Sequence, residues 1–237
     1  MILQSANCNA NTIVILFTGA AIDMSRWKDK VAAIVFAGFC GERCGEALAN
    51  ILTGKINPSG KLSETFPLKI EDIPSFNKYQ NSCITRYEEG IDVGYRYYNS
   101  YNVDVLYPFG YGLSYSNFEY SKSGTDYDQE GIIIKYRIKN NSAVAGKEIS
   151  QVYIRLLISY IYRPELELKG FSKNEIEPGA SVEVKIKLSL DAFGYYSVGL
   201  DKWVTDDGLY EVLVGSSSKD IRIKILLKIE NNQIKMI

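Results

Sequence analysis

From residue 131 onward, apolar and polar side chains alternate with a period of two. Ile132, Ile134, Tyr136 and Ile138 alternate with Ile133, Lys135, Arg137 and Lys139. Val182, Val184, Ile186 and Leu188 alternate with Glu183, Lys185, Lys187 and Ser189. Ile221, Ile223 and Ile225 alternate with Arg222 and Lys224 until Leu226 breaks the pattern. Successive side chains of a strand point to opposite faces, so each run predicts a strand with one face in a core and the other in water. Turn residues separate the runs: Asn140, Asn141 and Ser142, then Pro178 and Gly179, then Asp206, Asp207 and Gly208, then residues 215–218. About seven short strands at this spacing predict a β-sandwich of immunoglobulin or fibronectin type III kind over residues 115–237. Its core is expected to hold Ile132 or Ile134, Tyr136, Val152, Ile154, Val184, Ile186, Tyr210, Val212 and Val214.

The texture of residues 1–67 is different. Residues 12–17 and 31–37 are continuous apolar runs, closed by Gly19 and Gly38, as in strands covered on both faces. After the second run, Ala47, Leu48, Ile51 and Leu52 share one helical face, and Gly54 closes that helix. Strand, connection, strand, Gly-containing turn and helix predict a parallel α/β arrangement. Residues 68–114 lack a clean period and hold Pro74, Pro108 and many Gly and Tyr residues; a connector this long is expected to pack on something or to do a job.

Composition narrows the function. Lys plus Arg is 27 and Asp plus Glu is 28, so the net charge is −1, against a nucleic-acid backbone or an anionic membrane as partner. No stretch reaches the ~18 apolar residues of a membrane-spanning helix. Residues 1–11 are polar and free of Lys and Arg, so no signal peptide is expected and a cytoplasmic location follows. There is no histidine, which removes Ser-His-Asp triads, Cys-His dyads and His-ligated metals together. Cys8, Cys40, Cys44 and Cys83 do not give paired C-x-x-C spacings, so no metal site is expected. Free, partly buried thiols of a reducing compartment are expected instead.

Carboxylates remain as acid/base candidates, and Glu88 with Glu89 is the tempting pair. Adjacent residues of an extended segment point in opposite directions, so the two cannot face one substrate bond. Residues 38–45 precede a helix and could hold an anion, but they match neither G-x-G-x-x-G nor the P-loop, and a tight strand-to-helix turn is expected. Tyr95, Arg96, Tyr97 and Tyr98 mix aromatic and basic residues, as a single-stranded nucleic-acid platform would, yet the charge balance favours packing. Of 18 tyrosines, 11 lie between Tyr79 and Tyr127, a density that calls for a packed or sugar-facing environment.

An ordered series of motifs reaches a family. Residues 57–62 read Asn-Pro-Ser-Gly-Lys-Leu, followed by Thr65, Phe66 and Pro67. Then come Tyr87, Glu89, Gly90, Ile91, Val93 and the Gly-Tyr-Arg-Tyr-Tyr of residues 94–98. Residues 107–115 read Tyr-Pro-Phe-Gly-Tyr-Gly-Leu-Ser-Tyr. Ala145 to Glu148, Gln151 to Tyr153, Arg163 with Pro164, residues 167–171, Pro178 with Gly179 and residues 210–216 complete it. The series resembles the C-terminal part of glycoside hydrolase family 3 enzymes of β-glucosidase type, over nearly the whole chain.

The resemblance implies an order of (β/α)8 barrel, α/β sandwich and fibronectin type III-like domain. It implies retaining hydrolysis of terminal β-D-glucosyl residues through a covalent intermediate. The barrel's Asp nucleophile would lie in a Ser-Asp-Trp setting and the acid/base Glu in a Gly-Glu-Gly-like setting; neither occurs here. The chain is therefore expected to carry no catalytic, cofactor-binding or metal-binding residue and to be inactive alone. Its expected partner is a separate barrel-containing chain or an upstream part of the same enzyme, with the carbohydrate substrate held only by the complete enzyme and no nucleic acid or membrane involved. A non-catalytic sandwich for carbohydrate binding or adhesion, or one subunit of a split enzyme, stay open. The expected divisions are 1–67, the end of an α/β sandwich domain; 68–114, a Tyr-rich connector; and 115–237, the fibronectin type III-like domain. The strands before residue 66 would find their sheet neighbours upstream, so residues 1–66 are expected to be conditionally stable. Three positions depart from the family pattern: Arg43 where a Glu is usual, Cys44 where Gly or an apolar residue is common, and Ala21 near a usual Pro.

Overall fold

The computed structural model describes residues 1–76, 84, 87–128 and 130–237. Helix α1 (Ile2–Cys8) precedes strand β1 (Ile13–Leu16), strand β2 (Ala33–Phe36), helix α2 (Cys44–Leu52) and the two-residue strand β3 (Phe66–Pro67). β1 and β2 pair in parallel, from Ile13 opposite Ala33 to Leu16 opposite Phe36. Leu16, Met24 and Phe66 form a small core, with Trp27, Phe36 and Tyr107 packed around it. Phe36 meets Phe66 edge-on at 5.3 Å.

The apolar runs of this region are only partly covered by the described residues. Ile13 is 46% and Phe17 55% exposed, and no residue of α2 is buried. The apolar period of α2 is present but only partly covered: Leu48 and Ile51 are half-buried, while Ala47 and Leu52 are exposed. Helix α1 occupies residues read only as a polar start and also buries no residue.

The connector resolves into helix α3 (Tyr95–Ser100) and strand β4 (Val105–Tyr107). Strand β4 runs antiparallel to β3, with Phe66 opposite Tyr107. Tyr95 of α3 stacks on Phe109 at 4.9 Å and meets Tyr153 edge-on at 5.8 Å. Its hydroxyl oxygen accepts the Leu168 N–H at 2.8 Å. The run has no period because each short piece docks on a different neighbour.

Ten strands follow: β5 (Phe118–Tyr127), β6 (Gly131–Asn140), β7 (Gly146–Leu156), β8 (Glu167–Ile176), β9 (Ser181–Ser189), β10 (Tyr195–Ser197), β11 (Lys202–Val204), β12 (Gly208–Gly215), β13 (Ile221–Glu230) and β14 (Gln233–Met236). One sheet has the order β5-β6-β9 and the facing one β14-β13-β12-β7-β8, while β10 and β11 form a separate hairpin. All the expected core residues are buried between the sheets, Ile132 and Ile134 both included. Lys185 and Lys187 face water, as the alternation requires. Each such aliphatic side chain contributes about 1.5–3 kcal/mol on burial.

The motif of residues 57–62 joins the two parts. The Asn57 amide donates to Ser116 Oγ and to the Ala145 carbonyl, both at 2.9 Å. Its oxygen accepts the Ser114 hydroxyl at 2.9 Å and the Tyr115 N–H at 2.8 Å. Leu62 N–H donates to the Tyr111 carbonyl, and Gly110 N–H to the Leu62 carbonyl, both at 2.8 Å. Gly112 is needed here: a Cβ on it would lie 2.4 Å from the Gly60 carbonyl oxygen. Lys61 and Glu148 form an ion pair at 3.3 Å, their side chains only 12% and 5% exposed.

Two-stranded pairing with an open face predicts uneven local stability. Amides of β1 and β2 are expected to exchange faster than those of β6, β7, β9 and β12 by a factor on the order of 10² or more. Native-state hydrogen exchange read by mass spectrometry measures this. Equal protection of residues 13–16 and 182–188 in a monomer would show that the first 66 residues close their own core.

Candidate functional site

A cleft of about 540 Å³ opens between the loop after β1, the residues leading into β3 and the turn before α3. Glu64, Glu89 and Asp92 bring carboxylates to its wall, beside Ala21, Thr65 and Tyr98. Asp92 is buried, at 7% exposure. Both its oxygens accept the Tyr162 hydroxyl, at 2.8 and 2.7 Å, and one also accepts the Tyr101 hydroxyl at 3.3 Å. Burial, and then the bond to Asp92, pushes the Tyr162 phenol up from its ordinary value. Burial likewise pushes the Glu64 carboxyl up, opposed by the N–H of Ala21, which donates to it. A proline has no N–H, so this bond needs a residue such as Ala at that turn. The cleft thus combines one carboxyl group moved toward its protonated form with another locked by two phenols. It can accept hydroxyl donors.

Glu88 and Glu89 lie on a turn, which corrects the extended reading, yet they still diverge. Glu88 is exposed and Glu89 lines the cleft. Asp92 was not singled out by the sequence, because its partner Tyr162 is 70 residues away and no local spacing signals it. Tyr95, Tyr97 and Tyr98 are spent on packing within α3 and against the sandwich, and Tyr98 is buried.

The turn of residues 38–45 is closed by a disulfide between Cys40 and Cys44, whose Cα atoms are 5.2 Å apart. This corrects the expectation of free thiols at those two positions. Gly41, at φ 67°, turns the chain back so that Cys40 reaches the first turn of α2. Arg43 occupies the position before that helix and pairs with Glu46 in water. Cys8 is free and exposed, and Cys83 lies outside the described residues. Among the described residues no group of three or more His, Cys, Asp or Glu side chains is arranged to hold a metal ion. No described helix is long and apolar enough to cross a membrane.

Residues 1–115 match the glycosyl hydrolase family 3 C-terminal domain, and residues 148–218 match the fibronectin type III-like domain. The chain is similar to thermostable β-glucosidase B of Acetivibrio thermocellus, with 39% identity over 98% of this chain and 31% of that protein. It is similar to an exo-α-(1→6)-L-arabinopyranosidase of Bifidobacterium breve, with 36% identity over 97% of this chain and 30% of that protein. A crystal structure of β-glucosidase from Kluyveromyces marxianus in complex with glucose superposes with a TM-score of 0.92 at 37% identity, over 98% of this chain and 28% of that one. The chain therefore spans about a third of the length of the relatives it matches. An α/β segment leading through the Asn57 joint into a fibronectin type III-like sandwich, with the family's motifs in their order, places this chain in glycoside hydrolase family 3, as a C-terminal part of its β-glucosidase-type members.

Proposed function

We propose that this region is the C-terminal scaffold of a β-glucosidase-like hydrolase that removes terminal β-D-glucosyl residues with retention. The nucleophile and the acid/base come from a barrel-containing part, either upstream or on a separate chain. The divisions at residues 67 and 114 belong to this proposal: an α/β end, a connector and a sandwich. The observation that carries it is the apolar surface left open in the first 40 residues. Ile13, Phe17 and Phe39 are 46%, 55% and 87% exposed, in a region that matches enzymes about three times as long. Surface of this kind marks a partner.

Reconstitution tests it. The purified chain is mixed with the part of the Acetivibrio thermocellus β-glucosidase B that precedes the matched region, and release of nitrophenol from an aryl β-glucoside is followed. Neither part alone is expected to turn over substrate. The mixture is expected to exceed either part by a factor on the order of 10³ or more. A mixture that stays silent, while that same barrel part is revived by its own C-terminal region, would defeat the proposal.

A further inference from the structure

The hairpin β10–β11 stands apart from both sheets of the sandwich. Tyr196 and Trp203 are opposite each other in its register, and such cross-strand partners project from one face. Their rings meet at 5.9 Å and 75°. Trp203 is 67% and Tyr196 47% exposed, although aromatic side chains ordinarily bury most of their surface.

The base of the hairpin is fixed. Tyr195, on the opposite face, lies under the Arg163 guanidinium at 5.8 Å, and its hydroxyl reaches Asp206 at 3.4 Å. The Arg163 side chain is itself 6% exposed, paired with Glu167, and donates to the Phe193 carbonyl at 2.8 Å. The outward rings therefore sit on a held element. At the hairpin turn the Tyr196 hydroxyl donates to the Asp201 carboxylate. A carboxylate has about four lone-pair sites, so acceptor capacity remains beside the rings.

We propose that Trp203, Tyr196 and Asp201 form a binding site for a β-linked gluco-oligosaccharide. The choice of ligand rests on the hydrolase reading above; the site itself shares no residue with the cleft wall. A pyranose in the all-equatorial series has an apolar C–H face that covers an aromatic ring and a rim of hydroxyl donors that a carboxylate accepts. Val198 and Leu200, between the two strands, are also exposed, at 86% and 62%, and the open surface of the hairpin still falls below the about 800 Å² per partner of a stable protein interface. The paired rings with a carboxylate beside them suit a sugar chain, which offers both a C–H face and hydroxyl donors. The site would hold an oligomeric substrate while its terminal units are removed elsewhere in the enzyme.

Trp27 and Trp203 are the two tryptophans of the chain. In the Trp27→Phe chain, emission therefore reports on Trp203. Titration with cellotetraose and with laminaritetraose is expected to change it saturably, with a Kd on the order of 0.1–1 mM. Tyr196→Ala and Asp201→Ala should each weaken binding about tenfold with unchanged melting, and maltotetraose should have no effect. In the unaltered chain, electrophoresis through a gel containing soluble β-glucan should show retardation that Trp203→Ala removes. Absence of a saturable change with both β-linked tetraoses, or equal retardation of Trp203→Ala, overturns the proposal. So does self-association that Trp203→Ala abolishes without any response to sugar, because the face would then belong to a second copy. No turnover is read, so this result and that of the reconstitution stand or fall separately.

Discussion

Raising the pH from 10 to 12 is expected to unfold the protein. Tyr136 and Tyr210 are fully buried in the sandwich and Tyr98 is 5% exposed. Burial pushes each phenol up from 10.0 to about 12, against the Ser150 bond at Tyr136 and the nearby Arg163 at Tyr210, and with Asp72 adding to the rise at Tyr98. Burial also pushes Tyr120 and Tyr153 up. In the unfolded chain these phenols ionise near the ordinary value, so above it the unfolded state binds fewer protons than the folded one. The stability they contribute is whole below pH 10 and drains away as pH rises toward the folded values. Each rise corresponds to about 3 kcal/mol, and three of them together compare with a total stability of about 5–15 kcal/mol. The β-sheet signal in far-ultraviolet circular dichroism should be lost in one cooperative step between those pH values, together with the rise in tyrosinate absorbance that belongs to the buried phenols. Smooth titration of all 18 tyrosines around pH 10 with the β-sheet signal intact would refute this.

Glu148→Ala is expected to cost about 3–5 kcal/mol, because it leaves a buried ammonium group without its counter-charge. Lys61 keeps its bond to the Gly112 carbonyl at 3.2 Å and its weaker attraction to Asp220, and the Tyr120 hydroxyl loses the carboxylate that it meets at 2.8 Å. In a chain of this size the melting temperature should fall on the order of 10 °C. Replacing the whole network, as Lys61→Met with Glu148→Leu and Tyr120→Phe, should restore most of the loss, since apolar groups of similar volume need no partners. A loss of only one or two degrees in Glu148→Ala, about 0.5 kcal/mol, would mean that water reaches the pair.

The two halves of the molecule were not equally legible. In β6 and β9 the polar side chains Lys135, Arg137, Lys185 and Lys187 mark the outer face at every second position, so the inner face follows without further information. In β1, β2 and α2 the apolar residues announce burial, but the structure leaves Ile13, Phe17 and Leu52 open. Helix α3 was hidden in an aperiodic run because its position is set by Tyr95 docking on Phe109 and Tyr153. The spacing of Cys40 and Cys44 fits several fates, and it takes the turn through Gly41, at φ 67°, to bring the two side chains together.

What the sequence by itself determined was local and repetitive: the strand faces of the sandwich, the turns between them and the motif order that marks the family. Those follow from backbone sterics and from which side chains tolerate water, both readable from immediate neighbours. The tertiary structure alone decided the pairings. Asn57 finds Ser114, Ser116 and Ala145, with sequence separations of 57 to 88 residues. Asp92 finds Tyr162, and Lys61 finds Glu148. A buried polar group must meet a partner wherever the fold brings one, and nothing in the flanking residues names that partner before the chain has closed.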